Sequence, residues 1–149
     1  IAGIRELSAR LEESVSGIPD DQLDRPAGGE GWSIRQVVHH LADAHMNGFV
    51  RMKLVITEEK PILKPYDQEA WAELPDTTAL PTAPSLDILR GLHQRWASLL
   101  ESLPEGSWVR EGIHLESGSM TLDDLLTVYA NHCEVHLKQI DRIKAGLGA

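Results

Sequence analysis

Two histidines four residues apart, His132 and His136, lie in the run Tyr129-Ala130-Asn131-His132-Cys133-Glu134-Val135-His136-Leu137-Lys138-Gln139-Ile140. On an α-helix, at about 100° per residue, side chains four apart point within about 40° of each other. Leu125, Val128, Tyr129, Ile140 and Ile143 share that direction, whereas Glu134, Lys138 and Asp141 point away from it. Two imidazoles and the Gln139 amide are therefore expected on the core-facing side. Burying a polar ring is costly unless its nitrogens find partners. A metal ion satisfies one nitrogen of each ring, and the i, i+4 spacing is a common way for one helix to present two ligands. The competing reading is a pair of core histidines hydrogen-bonded to neighbouring side chains. Two rings on one central stripe favour the metal.

The sequence is not HExxH, because Glu134 follows the first histidine by two residues and faces the other way. A zincin protease mechanism is unsupported, and so is a ferritin-like di-iron site, which needs several inward carboxylates. Glu111 and His114 have Glu-x-x-His spacing, but in a glycine-containing stretch. A third ligand should come from another helix, and His39, His40 and His45 are the candidates. His40 begins a polar stripe with Asn47 and Arg51, flanked by Asp43 and Gln36, that looks like a pocket lining. His45 lies closer to the apolar centre of its helix, so spacing leaves both open. His39, His93 and His114 are expected to be exposed, Cys133 a small buried residue, and Trp32 and Trp96 core anchors. Tyr66 and Trp71 sit where either could cover the site.

The elements that must position these groups are helices. Ile4, Leu7, Leu11 and Val15 recur at steps of three and four, predicting a first helix over about 4–15. Asp20, Pro26 and Gly28-Gly29-Glu30-Gly31 then break the chain. Ser33 is a good N-cap for a second helix to about Thr57, with Ile34, Val37, Val38, Leu41, Phe49, Met52 and Ile56 on its apolar face. The stretch from Pro61 to Pro84 reads as a long connection with a short helix at Gln68 to Leu74, and connections that long usually cover something. A third helix runs from about Ser85 to Leu103 on a stripe of Ile88, Leu89, Leu92, Trp96, Leu99, Leu100 and Leu103. Residues 107–120 form a loop or hairpin. Thr121 caps a fourth helix to about Lys144. No segment shows a convincing strand pattern, so the fold class is all-α, a four-helix bundle with long connections in a single domain over 1–149.

At 149 residues one hydrophobic core is expected. The net charge of -9 and the scattered lysines and arginines exclude a nucleic-acid binder, which needs a basic stripe. No apolar run approaches the ~20 residues of a membrane helix. The charge-rich start at Ile1 does not fit a signal peptide. One cysteine excludes an internal disulfide framework and fits a reducing compartment, so the cytoplasm is expected. A homodimer is compatible with all of this.

Gly31-Trp32-Ser33-Ile34-Arg35-Gln36-Val37-Val38-His39-His40-Leu41-Ala42-Asp43 resembles the DinB-like superfamily signature, in which Trp-Ser or Trp-Thr precedes a metal-binding histidine. The His132-x-x-x-His136-x-x-Gln139-Ile140 run resembles its C-terminal signature. Further motifs resemble the YfiT-like branch, described as metal-dependent hydrolases: His45-Met46-Asn47, Arg51-x-Lys53, Lys64-Pro65-Tyr66 and Trp71-Ala72-Glu73-Leu74-Pro75-Asp76. The similarity spans about Leu23 to Ile140. YfiT-like chains usually begin with a short extension before the first helix, which is missing here.

By position, the resemblance implies metal ligation by His40, eight residues after Trp32, with His132 and His136. It implies a four-helix bundle with crossover connections and one divalent metal, Zn or Ni first among the choices. Three neutral imidazoles leave such an ion with open positions. The expected activity is metal-dependent hydrolysis of a small molecule, with Asp43 as general base and Asn47, Arg51 and Tyr66 against the substrate. Related proteins include thiol S-transferases that use bacillithiol or mycothiol. A low-molecular-weight thiol co-substrate is thus the alternative, with a non-catalytic metal- or ligand-binding module as the rival from another class.

Overall fold

The computed structural model describes residues 1–24 and 31–147. Four long helices build it: α1 (Ala2–Val15), α3 (Ile34–Thr57), α6 (Ala83–Glu101) and α7 (Leu122–Leu147). Short helices α2 (Asp20–Leu23), α4 (Gln68–Ala72) and α5 (Pro75–Thr78) lie in the connections. The expected break at Pro26 and Gly28-Gly29-Glu30 falls outside the described residues. Gly31, just past it, takes φ +83, a left-handed conformation that glycine adopts without a Cβ clash.

The two helices that carry the histidine cluster, α3 and α7, start where the sequence supplies a cap, whereas α1 and α6 have no side-chain cap. Ser33 Oγ accepts the Gln36 amide at 3.2 Å, and Gln36 Oε1 accepts the Ser33 amide at 3.0 Å, a reciprocal capping box. Thr121 and Asp124 make the same exchange at the start of α7, both bonds 3.0 Å. Helices α1 and α3 each pack on both α6 and α7. Two of the chain's links, α1 to α3 and α6 to α7, therefore cross the bundle, as the resemblance implied.

The connections also carry strands, which the sequence did not announce. β1 (Ile62–Leu63) pairs in parallel with β2 (Glu111–His114), which pairs antiparallel with β3 (Gly118–Thr121). The predicted loop or hairpin over 107–120 is thus a hairpin, preceded by a 3₁₀ turn at Glu105–Val109. Strands of two to four residues are too short for alternation to be legible. Gly112 is required in β2, because a Cβ there would meet Leu63 and Val55 at 2.9 to 3.0 Å.

The core falls into two apolar clusters. Val37, Val38, Leu41, Leu89, Cys133, Leu137 and Ile140 belong to one, and Phe49, Met52, Trp96, Leu100, Leu125 and Tyr129 to the other. On α3, His45 lies in sequence between the two sets, and on α6 His93 does. Ile88 and Val128, placed on core stripes by periodicity, are 41% and 47% exposed. The buried face of α6 instead runs through Leu89, His93, Trp96, Ala97 and Leu100. No helix among the described residues is long and apolar enough to cross a membrane.

Candidate metal centre

The stripe geometry of α7 brings His132 and His136 together, and α3 supplies the third ring. His132 Nε2 lies 3.2 Å from His40 Nε2 and 3.0 Å from His136 Nε2. One ligand atom from each residue lies within 4.8 Å of the other two. The rings tilt across each other at 57° to 72°, so the nitrogens converge while the rings diverge. His136 Nδ1 donates to Gln139 Oε1 at 2.7 Å, one helical turn on. An amide oxygen can only accept, so Nδ1 carries the proton and the His136 Nε2 lone pair faces the other two rings. His132 Nε2 lies between the other two nitrogens and carries at most one N–H, so one of its two contacts sets lone pair against lone pair. Three lone pairs around a divalent ion remove this conflict. Nitrogens ~2.0–2.1 Å from a four-coordinate ion sit about 3.3 Å apart, close to the separations seen here.

Burial favours the neutral, ligating form of each ring. It lowers the His40 pKa to about 4, with a smaller contribution from the His136 charge. It lowers His132 to about 3, helped by His136 and His40. His136 is also lowered by burial, against an opposing contribution from its bond to Gln139. His132 Nδ1 is buried without a hydrogen-bond partner. Trp32, expected as a core anchor, also walls the site. Its ring is 4.7 Å from His40 and stacks 6.4 Å from His136, while Nε1 donates to Glu69 at 3.2 Å.

The sequence matches the DinB superfamily over residues 4–140. The chain belongs to the DinB superfamily. A relative in Bacillus subtilis, named "Putative metal-dependent hydrolase YfiT", is 40% identical over 146 residues, covering 97% of this chain and 82% of the relative. A protein of Oceanobacillus iheyensis named "Putative metal-dependent hydrolase" is 44% identical over 137 residues, 92% of this chain and 79% of its own length. The solved structure of B. subtilis YfiT, described as "a probable metal-dependent hydrolase with an unusual four-helix bundle topology", superposes with a TM-score of 0.94 at 39% identity. That match covers 99% of this chain and 85% of YfiT. The crystal structure of the mycothiol-dependent maleylpyruvate isomerase has a similar fold, with a TM-score of 0.73 at 14% identity over 93% of this chain and 58% of its own.

Within this DinB fold the remaining residues are placed as follows. His45 is fully buried on a different side from His40: its Nδ1 is 2.8 Å from His93 Nε2, and Cys133 Sγ is 3.9 Å from its Nε2. His93, expected to be exposed, is 1% exposed. Its position four after Leu89 and three before Trp96 was the available signal. His39, also expected outside, is 5% exposed. It is clamped by Ser85 Oγ at 2.6 Å and the Leu80 carbonyl at 3.0 Å. His114 is half-buried, and its Nδ1 accepts the Glu116 and Ser117 amides. Cys133 is buried, with its thiol pushed up to about 12 by burial and Glu134, so it is a poor nucleophile.

Asp43 is half-buried, and burial plus the nearby Asp76 raise its pKa to about 6. Asn47 donates its amide to the Asp43 carbonyl at 2.8 Å, one turn back on its own helix. Arg51 and Tyr66 line a common hollow of about 620 Å³ together with Gln68 and His114. Gln68 also walls a smaller hollow of about 310 Å³ whose other walls include Trp32, His136 and Gln139. Trp71 packs on Tyr66, ring centroids 4.3 Å apart, beside the larger hollow.

Proposed function

We propose that this protein is a metal-dependent hydrolase of the YfiT type, acting on a small molecule at one divalent ion held by His40, His132 and His136. The observation that carries the reading is the convergence of three Nε2 atoms with one of them fixed as a lone pair by Gln139. The names of its 40–44% identical relatives support the reaction class. When bound, such an ion supplies Lewis acidity, polarising a substrate oxygen and lowering the pKa of a water or thiol beside it. Zinc and nickel both suit three imidazoles.

The chain's own residues contribute the rest. Gln139 fixes the tautomer of His136. Trp32 shields two rings from water. Asp43, with its pKa near 6, is tuned to take a proton near neutral pH and serves as general base. Arg51 and Tyr66 hold the substrate from the wall of the larger hollow. A second reading, transfer of a low-molecular-weight thiol, draws on the fold shared with the mycothiol-dependent isomerase.

The test is a panel of esters and amides, with and without small thiols, on metal-loaded protein beside the His132→Ala variant. Hydrolysis that needs the metal and no thiol is the expected result. Turnover only when thiol is present selects the transferase. No turnover across the panel points to a binding module, and full metal retention in His132→Ala overturns the ligand assignment.

A further inference from the structure

We propose that Arg51, with His114 beside it, forms a carboxylate-binding subsite, so that the substrate carries a carboxylate at one end and its reacting group at the other. The inference rests on the His40, His132 and His136 cluster being the reaction centre.

Arg5, Arg10, Arg35, Arg90 and Arg110 each pair with a carboxylate. Arg51, Arg95 and Arg142 have none within ion-pair distance among the described residues, and of these three Arg95 and Arg142 are exposed whereas Arg51 is not. It is half-buried, and neutral acceptors hold it: Nη1 donates to the Tyr129 hydroxyl at 3.0 Å and Nη2 to the Lys64 carbonyl at 2.6 Å. These bonds fix the guanidinium plane without cancelling its charge, and leave three of its five N–H groups without a hydrogen-bond partner among the described residues. A pinned cation with no ion-pair partner on the wall of a hollow matches an anionic ligand. The hollow's volume, about 620 Å³, suits a small molecule.

His114 adds a neutral donor. Its Nδ1 accepts two backbone N–H groups, of Glu116 at 3.1 Å and Ser117 at 3.2 Å, so Nε2 carries the ring's N–H. The same hollow is lined by Asp67 and Glu116. Two carboxylates repel a phosphate dianion about twice as strongly as a singly charged carboxylate, and they favour an ammonium group next to it. The subsite is also joined to the metal end. Tyr129, which holds Arg51, has its ring 6.5 Å from that of His132, and Gln68 is a wall of both hollows.

The experiment uses cobalt-loaded protein and two series of probes, ω-mercaptoalkanoic acids of increasing length and the matching mercaptoalcohols, read by the cobalt absorption spectrum. Binding of the alcohols tests the metal end alone. At one chain length the acid should bind about tenfold tighter than its alcohol. Arg51→Gln should abolish that difference and leave the alcohol affinity unchanged, and Arg51→Lys should keep part of it. Equal binding of acid and alcohol at every length, or a preference that survives in Arg51→Gln, overturns the subsite. A metal-free arm separates the two failures: hexanoate, unlike hexanol or hexyl phosphate, should shift the Arg51 Nε–H signal in NMR spectra. A spectrum indifferent to every thiol, with that shift present, sinks the open metal site and supports the subsite. No shift overturns it.

Discussion

Replacing Gly48 by alanine should destabilise the protein, although alanine is the better helix former. Gly48 lies in the interior of α3. A Cβ built there falls 2.6 Å from two ring atoms of Tyr129 and 2.9 Å from Cη2 of Trp96. Carbon atoms settle at about 3.5–4.0 Å, so the rings would have to retreat by roughly 1 Å. Neither has room. Trp96 is fully buried and packs its ring 5.4 Å from that of Tyr129, and the Tyr129 hydroxyl is held by Arg51. Overpacking of this kind costs roughly 1–3 kcal/mol, against a gain of about 1 kcal/mol in helix propensity. An overlap of about 1 Å with rings that cannot retreat puts the cost in the upper part of that range, about 2–3 kcal/mol, so the net loss is about 1–2 kcal/mol and Tm falls by roughly 2–8 °C for a chain of this size. Gly91 provides the internal control. It lies in α6, exposed, with no atom within 4 Å of an added Cβ, so Gly91→Ala should raise Tm by a few degrees. Thermal melts of the two variants by circular dichroism make the comparison. A Gly48→Ala protein as stable as its parent, or one shifted in the same direction as Gly91→Ala, refutes the close-approach reasoning.

Metal-free protein should lose stability steeply as pH falls from about 6.5 to about 4. His40, His93 and His132 have folded values of about 4, 4 and 3, and His45 and His136 are lowered as well. The unfolded chain, with ordinary values near 6.5, therefore takes up protons first across that window. The stability these groups contribute is full above the unfolded value and lost as pH falls toward the folded ones; a Tm that stays flat from pH 7.5 to 4.5 contradicts this. Gln139→Leu should weaken metal binding about 10–100-fold while keeping one site per chain, as measured by competition with a chelator. Unchanged affinity would mean that the bond to His136 does not set its tautomer. His45→Ala should keep the metal but lower Tm by several degrees, since it opens a buried space and strips His93 of its partner. Metal analysis beside a melt distinguishes the two effects.

The long helices and the cluster on α7 were legible because both depend on local spacing. Ser33 and Thr121 announced their helices through side chains that reach only three residues. His132, His136 and Gln139 share a face for the same reason. What decides between His40 and His45 is tertiary: both rings are buried, but one meets His132 across the bundle and the other meets His93. Local spacing on α3 left the two open, and only the motif beginning at Trp32 separated them. Burial of His39 and His93 was missed for a related cause. Spacing along the chain shows no partner for either ring, whereas in the fold Ser85 and the Leu80 carbonyl, or His45, make the inner face tolerable for them. The three short strands exist only because the α3–α6 and α6–α7 connections meet, and no window of four residues encodes that meeting.

The stretch between α3 and α6 is tied down in a particular way. Arg35 and His39 both reach the carbonyl of Leu80, Gln36 that of Ala72, and Arg51 that of Lys64. In every case a side chain of α3 grips main chain, and every amino acid offers the same carbonyl. The path of this segment is therefore written largely in the helix beneath it, and its side chains other than buried ones such as Leu63, Ala72 and Thr77 and the capping Asp67 remain free to vary. Tyr66, Gln68 and Glu69, which face the two hollows or Trp32, belong to that free set. Selection can rewrite what the pocket recognises by exchanging residues on a segment whose route does not depend on them, while the three histidines stay untouched. One scaffold can thus diverge toward new substrates by small steps, none of which has to pass through a misfolded intermediate.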